Sequence, residues 1–157
     1  MAWRCSGATN HELLSNMRSA GLVNSPLVWQ AMTQVDRACY VSVAKRQEAY
    51  VDAPQSIGYG ATISAPHMHA HAVEALLPYL GQGKTVLDIG SGSGYTMAIF
   101  WHLVKQEKQE RPGQVTGIDH IPQLCDLARD NLRQDGLGEA LEKGWMDVVA
   151  GDGRLGG

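Results

Sequence analysis

Eight residues constrain this chain more than any others: Leu87-Asp88-Ile89-Gly90-Ser91-Gly92-Ser93-Gly94. The short apolar run Thr85-Val86-Leu87-Asp88-Ile89 gives way to a glycine at every second position, and a helical apolar pattern then runs over residues 95–105. Glycines are needed where a backbone turns sharply between strand and helix and must let a ligand come close. The rhythm continues downstream. Val115-Thr116-Gly117-Ile118-Asp119 reads as a second strand. Pro122 opens a helix with Leu124, Leu127, Ala128 and Leu132 inward, and Met146–Ala150 is a third strand ending in Gly151-Asp152-Gly153. Strand, helix, strand, helix, strand predicts a parallel sheet with right-handed crossovers. Within it, Thr85–Ile89 is expected to be a buried strand, because parallel strands are covered on both faces. Residues 106–113 between these units read as a charged, solvated loop.

The N-terminal half carries a different pattern. Thr9 and Glu12 have capping-box spacing, Leu13, Leu14 and Met17 share one face, and Gly21 can close the helix. Ser25 and Pro26 open a second helix whose apolar face is Val28, Ala31, Met32 and Val35. Residues 50–60, punctuated by Pro54, Gly58 and Gly60, read as loop. A third helix starts at Pro66, is expected to bury Val73, Leu76, Leu77 and Leu80, and is shortened by Pro78. Two units are expected: residues 1–80 with the helices and a functional loop, and residues 81–157 with the first part of a ligand-binding α/β domain.

Composition excludes several classes. With 157 residues, 44% of them hydrophobic, the chain can bury a core, and its net charge of -3 leaves no basic stripe for nucleic acid. No apolar run reaches the ~20 residues of a membrane span. Met1 to Asn10 lacks the apolar core of a secretory signal. Cys5, Cys39 and Cys125 are odd in number and scattered, which suits reduced thiols in the cytosol.

The glycine spacing is G-x-G-x-G, with Asp88 two residues before the first glycine. Dinucleotide sites usually have G-x-G-x-x-G, which disfavours a nicotinamide oxidoreductase. The loop instead resembles that of class I methyltransferases, where it lies beside the methionine part of S-adenosylmethionine. The resemblance implies that Asp88 helps to fix that zwitterionic group, with Gly90, Ser91 and Gly92 bordering it. Asp119 ends the second strand 25 positions after Gly94 and can accept both hydroxyls of a ribose, or else cap the helix at Pro122. His120 would sit near the adenine. Asp152 could accept its exocyclic amine, with Gly151 letting the base approach.

The segment Asp52-Ala53-Pro54-Gln55-Ser56-Ile57-Gly58, followed by Thr62-Ile63-Ser64-Ala65-Pro66-His67, has the form D-x-P-Q-x-I-G-x-x-x-T-I-S-x-P-H. It resembles the protein-L-isoaspartate O-methyltransferase family, as do the phrases Gly117-Ile118-Asp119-His120 and Gly151-Asp152-Gly153-Arg154. The resemblance implies a Rossmann-like class I methyltransferase fold. That fold is an α/β, doubly wound, mostly parallel sheet with an N-terminal helical extension. It implies Ser64 as active-site serine, and a cleft lined by Ala61, Thr62, Ile63, Ser64 and His69. It further implies S-adenosyl-L-methionine as methyl donor, with isoaspartyl-containing peptides and proteins as substrates. A monomer is implied for the full-length protein. Gly60 stands where many relatives have Gln, which is expected to loosen the loop.

The implied chemistry needs no strong base, since a substrate carboxylate with pKa near ~4 is already ionised at neutral pH. Ser64 is then an orienting hydrogen-bonding group, with no flanking Ser-His-Asp arrangement expected. His67, His69 and His71 do not suit a metal, because i, i+2 positions do not share a helical face. Two rival readings are a methyltransferase with another acceptor and a non-catalytic fragment. The family continues past Arg154 and has more than three central strands. The chain is therefore expected to be truncated at its C-terminus, to leave Val86–Ile89 as a sheet edge, and to be inactive and poorly folded alone.

Overall fold

Both N-terminal helices start where side chains can take up free amides. In the computed structural model, which describes residues 5–105 and 112–155, α1 spans Asn10–Ser19. The Thr9 hydroxyl accepts the Glu12 amide at 3.1 Å. The Glu12 carboxylate reaches back one residue further than the usual box, to the Ala8 amide at 2.8 Å. Gly21, at φ +73°, closes the helix. The Ser25 hydroxyl caps α2, Pro26–Thr33. The Glu74 carboxylate accepts the amides of Asn24 and Ser25 at 2.7 and 2.8 Å. Glu74 lies on α3, Pro66–Leu76, so this contact pins α3 to the start of α2.

Residues 50–60, read from sequence as loop, contain the first strand of a hairpin. Strand β1, Gln55–Gly58, pairs antiparallel with β2, Ala61–Ile63. The two-residue turn has positive φ at both Tyr59 (52°) and Gly60 (73°), the primed geometry that matches strand twist. At that φ a glycine is at ease and a glutamine strained, so Gly60 suits this turn rather than loosening it. The signal in the sequence was the alternation of buried Gln55 and Ile57 with exposed Ser56 and Gly58.

The second sheet is β3 (Thr85–Ile89), β4 (Gln114–Asp119) and β5 (Met146–Ala150), parallel, in that spatial order. Helices α4 (Tyr95–Val104) and α5 (Pro122–Gln134) make the crossovers, and a short α6 (Gly138–Glu142) precedes β5. Because the order advances steadily, two right-handed crossovers place α4 and α5 on the same face. The buried cluster runs without a break from Cys5, Leu13 and Met32 through α4 to Val148.

Two burial expectations are corrected. Thr85–Ile89 is not a buried strand: Leu87 is 45% and Ile89 59% exposed. The strand is the sheet edge, as expected, and helices cover one of its faces only. Leu76 is 42% exposed as well. The inward stripe of α3 is Pro66, Ala70 and Val73 and continues to Leu77, at i, i+4, i+7 and i+11, and Leu76 lies off it. Leu80 is partly buried against the same core. The charged loop expected over 106–113 lies, from 106 to 111, outside the described residues.

Gly117 faces α4, where an added Cβ would collide with Met97 Sδ and stand 2.8 Å from Ser91 Cβ. Gly117→Ala is expected to cost ~1–3 kcal/mol through overpacking. A melt followed by circular dichroism should shift down by roughly 2–4 °C per kcal/mol.

Candidate functional site

The glycine loop leads from β3 into α4 and is tied to the end of β4 through its amides. Gly90 and Ser91 both donate to the Ile118 carbonyl, at 2.8 and 3.2 Å. Gly92 donates to Asp119 Oδ2 at 3.1 Å, and Gly94 to the Ser91 carbonyl at 2.9 Å. Gly90, Gly92 and Gly94 have φ of +81°, +52° and +84°, which explains glycine at each. A pyrophosphate cradle needs free amides here. Four of the loop amides are taken, and a carboxylate stands among them.

Asp119 is nearly buried, and its other oxygen accepts the Ile121 amide at 3.0 Å, at the entrance to α5. The capping role and a ligand role are compatible, because a carboxylate has about four acceptor sites. Burial, and then the nearby Asp119 charge, push the Asp88 carboxyl up to about 6. Asp88 Oδ2 is buried without a hydrogen-bond partner. A ligand cation would satisfy both the orphan oxygen and the like-charge strain.

An open cleft of about 420 Å³ lies beyond the strand ends. It brings together Gly90, Asp119, His120, Gly151 and Asp152, with Ile89, Ile118, Gly153 and Arg154. His120 is exposed there, its Nδ1 3.5 Å from Asp119 Oδ1. Asp152 holds Arg154 through Nε at 2.9 and 3.1 Å and Nη2 at 2.6 Å, and these hydrogen bonds lower its pKa. This pair is exposed, so a ligand amine can compete with it. Ser91 is buried, with its side chain packed toward Gly117.

The other expected site residues, Ala61, Thr62, Ile63, Ser64 and His69, form a separate wall on the hairpin and the start of α3, and like Asp88, Ser91 and Gly92 they are not among the residues that line this cleft. Thr62 is exposed, Ala61 and Ser64 are half-buried, and Ile63 points into the core. Ile57 Cδ1 would stand 3.5 Å from a Cβ at Gly92, so the hairpin rests on the glycine loop. The His69 Nδ1 lies 3.2 Å from Thr96 Oγ1, and its ring meets Tyr95 edge-on at 4.9 Å. Burial and the Arg37 charge, opposed by the Ser64 carbonyl, hold His69 down to about 3. The three histidines diverge: His69 packs inward, His67 turns to Asp52, and His71 is exposed.

Sequence reasoning missed the support beneath this wall. Arg37 is fully buried and donates to three carbonyls: Ala49 at 3.0 Å, Ala53 at 3.4 Å and Ser64 at 2.9 Å. Burial lowers its pKa, while Tyr95 and Asp52 pull it back up. Asp52, also fully buried, accepts the His67 amide at 3.0 Å and His67 Nδ1 at 2.8 Å. An Asp-His pair therefore does stand three residues from Ser64, although no hydrogen bond links His67 to the serine among those described. Nothing near Arg37 in the sequence announces its role.

The family described as protein-L-isoaspartate(D-aspartate) O-methyltransferase (PCMT) matches residues 8–157. This chain belongs to that family. The chain is 45% identical over 156 residues to a protein-L-isoaspartate O-methyltransferase of Caenorhabditis elegans, covering 99% of this chain and 65% of the relative. It is 42% identical to protein-L-isoaspartate O-methyltransferase 1 of Arabidopsis thaliana, covering 94% and 61%. The chain thus spans 61–65% of the length of these two relatives. Among solved structures, a protein-L-isoaspartate O-methyltransferase of Plasmodium falciparum in complex with S-adenosyl-L-homocysteine superposes with a TM-score of 0.81. It is 29% identical, and the match covers 92% of this chain and 64% of that one. Family and fold therefore agree with the Rossmann-like methyltransferase expected from the glycine loop. Among the described residues no helix is long and apolar enough to cross a membrane, and no group of three or more His, Cys, Asp or Glu could hold a metal ion.

Two measurements follow from the acids at the strand ends. A carboxyl whose folded pKa lies above its unfolded ~3.9 stabilises fully below that value, and the contribution is lost as pH rises through the folded value. For Asp88 that window ends near about 6. Asp88→Asn is therefore expected to melt higher than the parent at about pH 7.5 and to lose that advantage toward about pH 4. Asp119→Ala is expected to weaken S-adenosyl-L-homocysteine binding by ~1–3 kcal/mol in calorimetry, through lost charge-assisted hydrogen bonds. Unchanged affinity would rule out the ribose role expected for Asp119 from the sequence.

Proposed function

We propose that this protein transfers a methyl group from S-adenosyl-L-methionine to the free carboxylate of L-isoaspartyl residues, and of D-aspartyl residues, in damaged proteins. The observation that carries this reading is a glycine loop in contact with the β1–β2 hairpin, with four of its amides taken and, at the end of β3 just before it, a buried acid with an unpartnered oxygen. That donor set suits a cationic amino-acid group and not a phosphate. In this reading residues 1–80 present the acceptor and residues 81–157 hold the cofactor. Asp88 takes the ammonium beside Gly90, Ser91 and Gly92. Asp119 takes the ribose hydroxyls, and His120, Gly151 and Asp152 border the adenine. Ala61, Thr62, Ile63 and His69 shape the passage toward Ser64.

The bound cofactor supplies an electrophilic methyl-sulfonium carbon. The chain's task is to position an already ionised carboxylate in line with that carbon and to keep water out. Ser64 serves as a hydrogen-bond donor to that carboxylate, so no base is required. The methyl ester then loses methanol as the backbone amide closes a succinimide, which hydrolyses back toward ordinary aspartate. The free thiols of Cys5, Cys39 and Cys125 support a reducing compartment, the cytosol. The reading takes the full-length protein as a monomer with protein substrates, and assigns no nucleic-acid or membrane partner.

A methyl-transfer assay on the full-length protein tests this, with paired peptides that differ only in isoaspartyl against normal aspartyl linkage. Methylation confined to the isoaspartyl peptide is expected, and equal methylation of both would assign another acceptor. Ser64→Ala is expected to lower turnover while S-adenosyl-L-homocysteine affinity stays close to that of the parent.

A further inference from the structure

The turn that carries Ser64 is held at both ends by buried groups of opposite charge. On one side Arg37 Nη2 donates to the Ser64 carbonyl at 2.9 Å. On the other, Asp52 Oδ1 accepts the His67 amide at 3.0 Å. Pro66 between them has no amide to give, and these two side-chain bonds add to the hairpin pairing at Ile63 on one side and to the Met68 and His69 amides on the Ala65 carbonyl, at 2.9 and 3.3 Å, on the other. Arg37 and Asp52 are both 0% exposed. Neither charge is cheap to bury, and neither is part of a regular secondary-structure ladder.

Arg37 also reaches the cofactor side. Its guanidinium lies over the Tyr95 ring, 5.4 Å from the centroid. Tyr95 is 1% exposed and is the first residue of α4, directly after Gly94 of the glycine loop. The same ring is met edge-on by His69 at 4.9 Å and by Tyr40 at 5.4 Å. One side chain thus touches the backbone of the acceptor turn and the first helical residue behind the donor loop. It is also anchored at the Ala49 and Ala53 carbonyls of the segment that leads into the hairpin.

In-line transfer depends steeply on the separation of the reacting atoms, and a misplacement of ~1 Å can cost ~10²-fold. We propose that Arg37, acting together with Asp52, is a positioning residue for methyl transfer: it spaces the Ser64 turn from the glycine loop and so sets the distance between acceptor and methyl donor. This rests on the acceptor reading given above. Asp52 completes the clamp by fixing the far end of the turn. Tyr95 gives the guanidinium a flat surface that holds its plane. Lysine, a point charge on a flexible stem, can keep one of the three carbonyl bonds but not the fork or the stacking.

The test uses the full-length protein with Arg37→Lys, Arg37→Met and Asp52→Asn. It measures kcat and KM on the isoaspartyl peptide, calorimetric affinity for S-adenosyl-L-homocysteine, and hydrogen exchange resolved over residues 62–69. Arg37→Met is expected to lower kcat by about 10²-fold, with cofactor affinity held, and to speed exchange in the 62–69 segment. Arg37→Lys should recover part of the loss. Asp52→Asn, close in shape and so the safer variant for folding, should speed exchange at His67 and lower kcat less than Arg37→Met does. An unchanged kcat in folded Arg37→Met or Asp52→Asn overturns the proposal. A kcat loss accompanied by an equal loss of cofactor affinity also overturns it, because the role is then general support. A parent protein inactive on the isoaspartyl peptide counts against the acceptor reading instead, and the exchange and affinity measurements still decide whether the clamp exists.

Discussion

The cleft depends on the stitching of the glycine loop to the end of β4. Gly90 and Ser91 share the Ile118 carbonyl, and Gly92 takes Asp119 Oδ2. Each neutral bond is worth only about 1 kcal/mol net, and the charge-assisted one somewhat more. Together they decide the chemistry of the loop. A loop with four of its amides taken and a carboxylate among them is poorly suited to cradle phosphate. The unpartnered Asp88 oxygen at the end of β3 suits a positive group instead. The same carboxylate, Asp119, also takes the Ile121 amide, so the residue suited to a ribose also fixes the two chain segments around it. The geometry of the glycine loop and that of the α5 entrance are therefore coupled through one side chain.

The N-terminal helices provide the second support. Their apolar stripes, Leu13, Leu14 and Met17 on α1 and Val28, Ala31 and Met32 on α2, join the same buried cluster as α4. Fully burying each such side chain contributes ~1.5–3 kcal/mol. That burial holds a platform on which an otherwise unfavourable group, the Arg37 guanidinium, can be kept away from water. Its Nη1 has no partner among the described residues, which a design for stability alone would avoid. A buried guanidinium with one nitrogen left unpartnered, beside the Ser64 turn, fits the positioning role proposed for it.

The sheet shows the same division between local rule and tertiary context. Thr85, Leu87 and Ile89 have the composition of a buried strand and lie exposed at an edge. The strand reads as two-sided because its sequence is apolar at both parities. What covers each face is decided by the spatial order β3-β4-β5, which brings α4 and α5 to one side. Apolar content and the edge position were both read from the sequence, but which residues of the strand stay exposed was not. The hairpin at Gln55–Ile63 escaped a reading that took Pro and Gly for loop. Its turn is built from Tyr59 and Gly60 rather than the usual Asn-Gly.

By itself the sequence determined the elements whose causes lie within a few residues. The Thr9 and Ser25 caps, the Pro66 and Pro122 helix starts and the three parallel strands all belong here. So do the glycine loop and the acids at the strand ends. Each of these is a local demand on backbone dihedrals or on a free amide, and it leaves a short-range mark. Tertiary structure alone decided what Arg37 does, since its three carbonyl partners lie 12, 16 and 27 positions away. The same holds for Asp52, whose partner His67 is 15 positions away, and for the turn of Leu76 to solvent. An arginine's hydrogen bonds impose no periodicity on the chain that carries it. They become legible only when folding brings three separate carbonyls to one guanidinium.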